Sequence, residues 1–165
     1  MAQIGVVFGS NDGKGAASIT AKYIADKLNA DIINATELES SFISSHEKLI
    51  FVASTHKVGE LQKDFRAKLE VIANADFSGK TLALVGLGGT EKHAGTFCDG
   101  LVEFLPLIRG AKLVGAYDDG GYKFSNSLSF INGKFIGLVL DTKVDNNWQM
   151  RTDAWLNSIK SEFNF

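Results

Sequence analysis

A short apolar run that ends in a glycine-rich turn, residues 4–15 (IGVVFGSNDGKG), most constrains the fold of this chain. Val6, Val7 and Phe8 are β-branched or aromatic and do not alternate with polar residues, a pattern typical of a strand buried on both faces. The next segment, 16–28 (AASITAKYIADKL), repeats its apolar residues at helical spacing. The buried strand, the glycine-rich turn and the helix together predict the first βα unit of a parallel sheet.

Similar patterns recur along the rest of the chain. Strands are predicted at 31–34, 48–54, 80–88 and 112–116, with 134–141 resembling a strand in the same place as the last of these. Apolar spacing predicts a helix over 60–75, a second that turns Phe97, Leu101, Leu105 and Ile108 inward, and a closing helix over 147–163. Pro106 should kink the second of these helices or end its regular part. This alternation predicts right-handed crossovers and a three-layer α/β fold, in which helices cover both faces of a five-stranded parallel sheet.

Composition limits the class of protein and its location. With 165 residues, 45% of them hydrophobic, the chain is predicted to form a single domain over 1–165. A formal net charge of −2 and the lack of a basic run argue against nucleic acid as a partner. The chain begins with a strand pattern and has no run of about eighteen apolar residues, so we expect no membrane span and a cytoplasmic location. We also expect a monomer.

Two isolated residues are assigned structural positions and no chemistry. The single cysteine, Cys98, excludes an internal disulfide and any metal cluster held by cysteines alone. It is predicted to be a small core residue. His46 lies among Ser and Glu residues and is predicted to be a surface histidine. We therefore expect no metal site.

Three loops are candidates for binding a ligand, because ligands of parallel α/β sheets bind beyond the carboxyl ends of the strands. These loops are 10–15, 54–59 and 88–95. The first precedes a helix, whose N-terminal amides and partial positive charge suit a phosphate, and glycines let the backbone approach it. Asp12 opposes an anion there, and the turn fits neither common phosphate-loop motif. A plain turn in which Asp12 or Ser18 caps the helix fits these residues as well.

Three motifs resemble the flavodoxin family, and specifically its long-chain subfamily. They are VGELQKDF at 58–65, LVGLG at 84–88 followed by His93 and Phe97, and GKFIGLVLD at 133–141. The stretch 117–132 resembles the loop that splits the fifth strand in long-chain members. The resemblance implies a flavodoxin-like sheet of order 2-1-3-4-5 with a split fifth strand. It also implies a low-potential electron carrier that binds FMN, needs no catalytic residue and exchanges electrons with partner proteins.

The resemblance further implies that FMN would be bound by residues of all three loops. They are Ser10, Asn11, Asp12, Gly13, Lys14 and Gly15 at the phosphate, Thr55, His56, Lys57, Val58 and Gly59 along one side of the ring, and Gly88, Gly89, His93 and Phe97 on the other. Asp12 stands where family members have a hydroxyl, and His93 stands where they have a stacking Tyr. We therefore expect weaker FMN binding than in a typical member.

Two other interpretations of the cleft compete with the electron carrier. A flavodoxin-like protein that has lost FMN would bind another planar or anionic ligand there, for example a haem held between His56 and His93. Two histidines are also compatible with an ordinary polar rim. A flavin enzyme that uses NAD(P)H, such as a quinone reductase, would need a hydride-donor site, for which there is no motif.

Charge and aromatic content suggest two further hypotheses. Lys14, Lys57 and Lys92 place one cation in each loop, which would favour an anionic reduced flavin and make its potential less negative. They are equally compatible with a solvated rim. Segment 117–132 holds several aromatic residues and is a candidate docking surface for a redox partner, unless those residues simply seal the edge of the sheet.

Overall fold

The computed structural model describes residues 3–9, 15–56 and 58–165. In these residues the strands are β1 (Ile4–Gly9), β2 (Asp31–Asn34), β3 (Lys48–His56), β4 (Glu60–Leu61), β5 (Thr81–Leu87), β6 (Lys112–Val114), β7 (Phe130–Ile131), β8 (Lys134–Phe135) and β9 (Leu138–Leu140). The α-helices are α1 (Ala16–Leu28), α2 (Ser40–Ser44), α3 (Lys63–Arg66), α4 (Leu69–Ala73), α5 (Trp148–Ser158) and α6 (Lys160–Phe163). Turns of 3-10 helix occupy Ala35–Glu37, Ala94–Thr96 and Asp99–Leu107. Among the residues described, no helix is long and apolar enough to cross a membrane.

The main sheet follows the path β2-β1-β3-β5-β6, and all neighbours on this path are parallel. Its last position is shared by two segments, since β6 pairs with 81–83 and β9 pairs with 85–87 of β5. The α/β class and the split last strand are therefore confirmed. The predicted count of five strands is too low, whereas the five positions of the parallel path follow the predicted order 2-1-3-4-5. The described sheet has seven strands, because the split strand counts twice and β4 folds back antiparallel on β3.

Successive side chains of the central strands point to opposite sides of the sheet. Helices and loops cover both faces, so the side chains on each face are buried. In β1, Val6 packs with α1 and the closing helices, whereas Val7 packs in the cluster on the opposite face. The same opposite cluster contains Phe51 of β3, whose ring lies 5.8 Å from that of Phe65 and 5.2 Å from that of Phe104. This burial on both faces explains why the strand sequences do not alternate between apolar and polar residues.

The single helix predicted over 60–75 is wrong. Residues 60–61 pair with the end of β3, and the Gln62 side chain then accepts hydrogen bonds from the amides of Asp64 and Phe65 and caps α3. Lys68, with φ −113° and ψ 8°, separates α3 from α4. Strand pairing and capping thus replace the first turn of the predicted helix, while Phe65 and Ile72 still reach the core.

The helix predicted after the β5 turn is instead a long 3-10 segment, 99–107, which contains Pro106. Side chains three residues apart eclipse each other in such a helix. Leu101 and Phe104 are consequently the buried pair, and Leu105, which the α-helical spacing turned inward, is only partly buried.

The prediction that His46 lies at the surface is also wrong, since His46 is only 2% exposed. Its Nδ1 lies 2.7 Å from the carbonyl oxygen of Phe42, and its Nε2 lies 2.8 Å from Oδ2 of Asp31. Lys80 donates from Nζ to the His46 carbonyl oxygen at 2.9 Å. These contacts join the loop before β3 to the starts of β2 and β5.

Candidate functional site

A cleft of about 1080 Å³ opens at the carboxyl ends of β3, β5 and β9, beside the first turn of α1. It is the position at which parallel α/β sheets bind ligands. Residues from four segments line it: Gly15, Ala16 and Ala17; Ser54, Thr55, His56, Glu60, Leu61, Lys63 and Arg66; Leu87, Gly88, Gly89, Glu91, Lys92 and His93; and Leu140, Asp141, Thr142, Lys143 and Val144. A smaller hollow of about 610 Å³ lies at the other end of the sheet, between the starts of β1 and β2 and the end of α6.

The structure brings part of the predicted site together in this cleft. Gly15, Thr55, His56, Gly88, Gly89 and His93 line it. Val58, Gly59 and Phe97 do not line it, and Val58 is 84% exposed. Ser10, Asn11, Asp12, Gly13, Lys14 and Lys57 lie outside the described residues. Of the three predicted loops, 54–59 contributes its first three residues to the cleft, 88–95 contributes five, and 10–15 contributes its last residue.

The end of β3 is fixed against the 3-10 segment that follows the β5 turn. The Thr55 hydroxyl accepts a hydrogen bond of 2.9 Å from the Gly100 amide. A Cβ on Gly100 would lie 2.9 Å from the Cα of Leu61, so this close approach requires glycine. Gly59 has a φ of +78°, and a Cβ there would lie 3.1 Å from Asp99 Oδ2. Thr55 and Gly59 thus shape the turn after β3, whatever the cleft holds.

His56 is the partly buried imidazole of the cleft. Its Nε2 lies 2.9 Å from the Ser54 hydroxyl oxygen. Burial lowers the pKa of His56 below its ordinary value, Asp64 opposes this and Lys63 adds to it. Because an imidazole with a lowered pKa is largely neutral at neutral pH, His56 offers the cleft a polar ring without a charge.

Phe97 lies behind the cleft wall, in a buried aromatic cluster that also contains residues of the 117–132 segment. Its ring is stacked with that of Phe124 at 5.8 Å and meets Tyr122 edge-on at 5.7 Å. A Cβ on Gly88 would lie 2.9 Å from Phe97 Cδ1. Phe97 therefore supports the glycine turn from the core side, and the turn can pass over it only because Gly88 has no side chain.

Asp141 is a site residue that the sequence reasoning did not single out. It lines the cleft at the end of β9, is only 1% exposed, and accepts hydrogen bonds of 2.8 Å from both the amide and the hydroxyl of Thr90. Its position as the last residue of the 134–141 strand pattern was the available signal, since side chains at that point face the ligand edge of a parallel sheet.

Charged side chains of both signs surround the cleft. The cations among the described lining residues are Lys63, Arg66, Lys92 and Lys143, and the anions are Glu60, Glu91 and Asp141. Arg66 lies 3.5 Å from carboxylate oxygens of both Glu60 and Glu103. Of the three lysines singled out from the sequence, Lys92 is the one within the described part of the chain, and it does line the cleft. The described residues contain no group of three or more His, Cys, Asp or Glu side chains suited to a metal ion.

Comparison with known proteins identifies the family. The family model described as Flavodoxin matches residues 6–105. The flavodoxin of Helicobacter pylori is 32% identical over 169 residues, which cover 99% of each chain. The chain belongs to the flavodoxin family. A flavodoxin of Nostoc is also 32% identical, over 98% of this chain and 97% of its own. The structure of Fusobacterium nucleatum flavodoxin bound to flavin mononucleotide is 30% identical, covers 97% of this chain and 98% of that chain, and superposes with a TM-score of 0.87.

Membership of the flavodoxin family decides between the functional classes considered from the sequence. Flavodoxins carry electrons between redox proteins and are not enzymes, so the expectation of an electron carrier rather than an enzyme is confirmed. Nothing in the relatives supports the haem alternative for His56 and His93. The cleft of this flavodoxin is consequently the candidate site for its redox cofactor.

Proposed function

We propose that this protein is an electron carrier that binds FMN in the cleft at the carboxyl ends of β3, β5 and β9. The observation that supports this most strongly is its similarity, over nearly the whole chain, to a flavodoxin solved with flavin mononucleotide. FMN supplies the redox chemistry, and the protein supplies binding, orientation and electrostatics.

The described residues fit such a cofactor. The volume of about 1080 Å³ is at the upper end of ordinary small-molecule sites. Among the described residues, a Cβ on Gly89 would meet only His93 Cδ2, at 3.8 Å, so the backbone of this turn is accessible from the cleft. Gly15 occupies the N-cap of α1, whose first turn contains no acidic residue, which suits an anionic group at this end of the cleft.

Weak binding is part of the proposal. The described lining residues include no Phe, Tyr or Trp, so the flat surfaces available to a flavin ring are the imidazoles of His56 and His93. Imidazole offers less stacking area than a phenol or an indole. Among the described lining residues, four cations stand against three anions. This balance favours a reduced flavin that carries a negative charge, and so a potential less negative than in family members with acidic clefts.

The proposal also covers residues outside the described part of the chain, the domain organisation, the location and the partners. We propose that Ser10, Asn11, Asp12, Gly13 and Lys14 complete the phosphate end of the cleft and that Lys57 flanks the ring. The chain would act as one domain over 1–165, as a cytoplasmic monomer of the long-chain subtype. Its partners would be redox proteins, one that donates electrons and one that accepts them.

Titration of the purified protein with FMN tests the proposal. We expect saturable binding of one FMN per chain, which is monitored through the quenching of flavin fluorescence. Riboflavin, which has the ring without the phosphate, is the control and should bind more weakly if the α1 end of the cleft holds the phosphate. A protein that shows no saturation with millimolar FMN would contradict the proposed function, and equal affinity for both flavins would contradict the phosphate site.

A further inference from the structure

The wall of the cleft is connected to the 117–132 segment through side-chain contacts. Thr90 lies in this wall, between the lining residues Gly89 and Glu91, and both its amide and its hydroxyl donate to Oδ2 of Asp141 at 2.8 Å. The other oxygen of the same carboxylate accepts from the Lys143 amide at 3.3 Å. The Asp141 carboxylate is thus the acceptor that ties the loop after β5 to the end of β9.

Asp141 is in turn held by Tyr122. The Tyr122 hydroxyl accepts a hydrogen bond of 3.2 Å from the Asp141 amide and donates one of 2.6 Å to Oδ2 of Asp145. Burial, together with the hydrogen bond to Asp145, raises the pKa of Tyr122 above its ordinary value. This hydroxyl therefore keeps its proton and serves as a fixed link between the two aspartates.

Arg151 of α5 completes the connection. Its Nε lies 2.5 Å from Asp145 Oδ2, and its guanidinium lies 4.4 Å from the centroid of the Tyr122 ring. It also donates to the Gly120 carbonyl at 2.5 Å and to the Tyr117 hydroxyl at 3.2 Å. The segment is thereby fixed against α5, and Tyr122 is held in place from two sides.

These contacts connect α5 to the wall of the cleft through Tyr122 and then Asp141. The Asp141 side chain is buried, and its oxygens accept hydrogen bonds from the wall and from its own turn. The Gly88 amide also donates to the Leu140 carbonyl at 3.0 Å, so Asp141 anchors the wall at Thr90, two residues beyond that backbone contact. We propose that Tyr122 and Asp141 are positioning residues for the cofactor, which hold the 88–93 wall so that the 117–132 segment determines how tightly FMN is bound. This inference rests on the proposed function, and its test is arranged so that the two can fail separately.

The test compares Tyr122→Phe with Tyr23→Phe. The first substitution removes the hydroxyl that joins Asp141 to Asp145 and keeps the ring. The control removes a hydroxyl of α1 that donates to Asp153 Oδ1 of α5 at 2.8 Å, and neither of these two residues lines the cleft. A second variant, Thr90→Val, removes one of the two bonds to Asp141 and keeps the amide.

Two quantities are measured for each variant. The first is amide hydrogen exchange in the protein without cofactor, at Thr90 in the wall and at Leu84 in the fully buried part of β5. The second is the dissociation constant for FMN. We expect Tyr122→Phe to increase exchange at Thr90 about tenfold with little change at Leu84, and to weaken FMN binding three- to tenfold. Thr90→Val should weaken FMN binding in the same direction, and Tyr23→Phe should change neither quantity.

Other outcomes overturn the inference. Faster exchange at Leu84 as well as Thr90 would show that the hydroxyl only stabilises the fold. Unchanged exchange at Thr90 would show that the wall does not depend on Tyr122. Unchanged FMN affinity in a variant whose Thr90 does exchange faster would show that FMN binding does not depend on how firmly the wall is held. If the wild-type protein does not bind FMN, the proposed function fails, while the exchange comparison still decides whether Tyr122 holds the wall.

Discussion

Replacement of His46 by alanine should destabilise the fold and leave the cleft unaffected. His46 lies two residues before β3, at the amino end of the sheet, whereas the cleft lies at the carboxyl end. Its ring packs on Phe42 with 4.4 Å between the centroids, and its two nitrogens contact the Phe42 carbonyl and the Asp31 carboxylate. The substitution removes all three contacts at once.

The size of the effect follows from these contacts. Loss of the hydrogen bond to the Phe42 carbonyl should cost about 1 kcal/mol. The Asp31 side chain is 42% exposed, so its contact with His46 should add at most about 1 kcal/mol. The cavity left by the ring should add about 1–2 kcal/mol. The total of about 3 kcal/mol corresponds to a fall in Tm of about 6–12 °C for a chain of this length.

Denaturant unfolding of His46→Ala, Asp31→Ala and the double variant measures the total loss of unfolding free energy and the part of it due to the contact between His46 and Asp31. FMN titration of each folded variant should return the wild-type affinity. A loss of less than about 1 kcal/mol for His46→Ala would refute the reasoning about burial. Weaker FMN binding in the folded variant would refute the claimed independence of the two ends of the sheet.

Three further predictions concern a strand contact, a pH dependence and a potential. Gly137→Ala should cost about 3 kcal/mol or more in chemical unfolding, because its Cβ would lie 2.1 Å from the Leu84 carbonyl oxygen, and a fully stable variant would contradict this contact. Burial lowers the pKa of His56 in the folded state, so the unfolded chain binds the proton more readily. The free energy of unfolding should therefore decrease as the pH falls from about 6.5 through the folded pKa. His56→Gln should flatten this part of the curve of stability against pH, and an unchanged curve would contradict the assignment to His56. Lys92→Gln should make the potential of bound FMN more negative by about 20 mV in a redox titration, since an exposed charge pair contributes about 0.5 kcal/mol, and a shift in the other direction would contradict the role of cleft cations.

The elements best predicted from the sequence are those with several local signals that agree. β1 and α1 begin and end at the predicted residues, because an apolar run, a glycine turn and a helical repeat follow each other directly. The failure over 60–75 has a non-local cause, since pairing of 60–61 with β3 competes with helix formation. His46 was misplaced for the same reason, because its polar neighbours in sequence gave no sign of its contact with Asp31.

The position of the candidate site was predicted from the topology of the sheet, whereas the residues that support its loops were not predicted. The rule that ligands bind at the carboxyl ends of parallel strands gave the loops that contribute Thr55 and His93 to the cleft. The same rule applies to β9, but Asp141, the residue that follows this strand, contacts Thr90 from a distance of 51 positions in the chain, which no local pattern reveals. Phe97 was assigned to the cofactor by resemblance, and packing places its side chain on the core side of the turn.

Deletion of the 117–132 segment cannot test whether this segment docks a redox partner, because the deletion would also remove the support of the cleft. Phe124 and Phe130 pack in the cluster behind the wall, whereas the side chain of Leu128 is 57% exposed. Leu128→Ser should therefore keep FMN affinity at the wild-type value, since it removes no contact of the buried cluster. If the segment docks a partner, the rate of electron transfer to that partner should fall several-fold at low protein concentration and recover at saturation. An unchanged rate would leave its aromatic residues with a structural role alone.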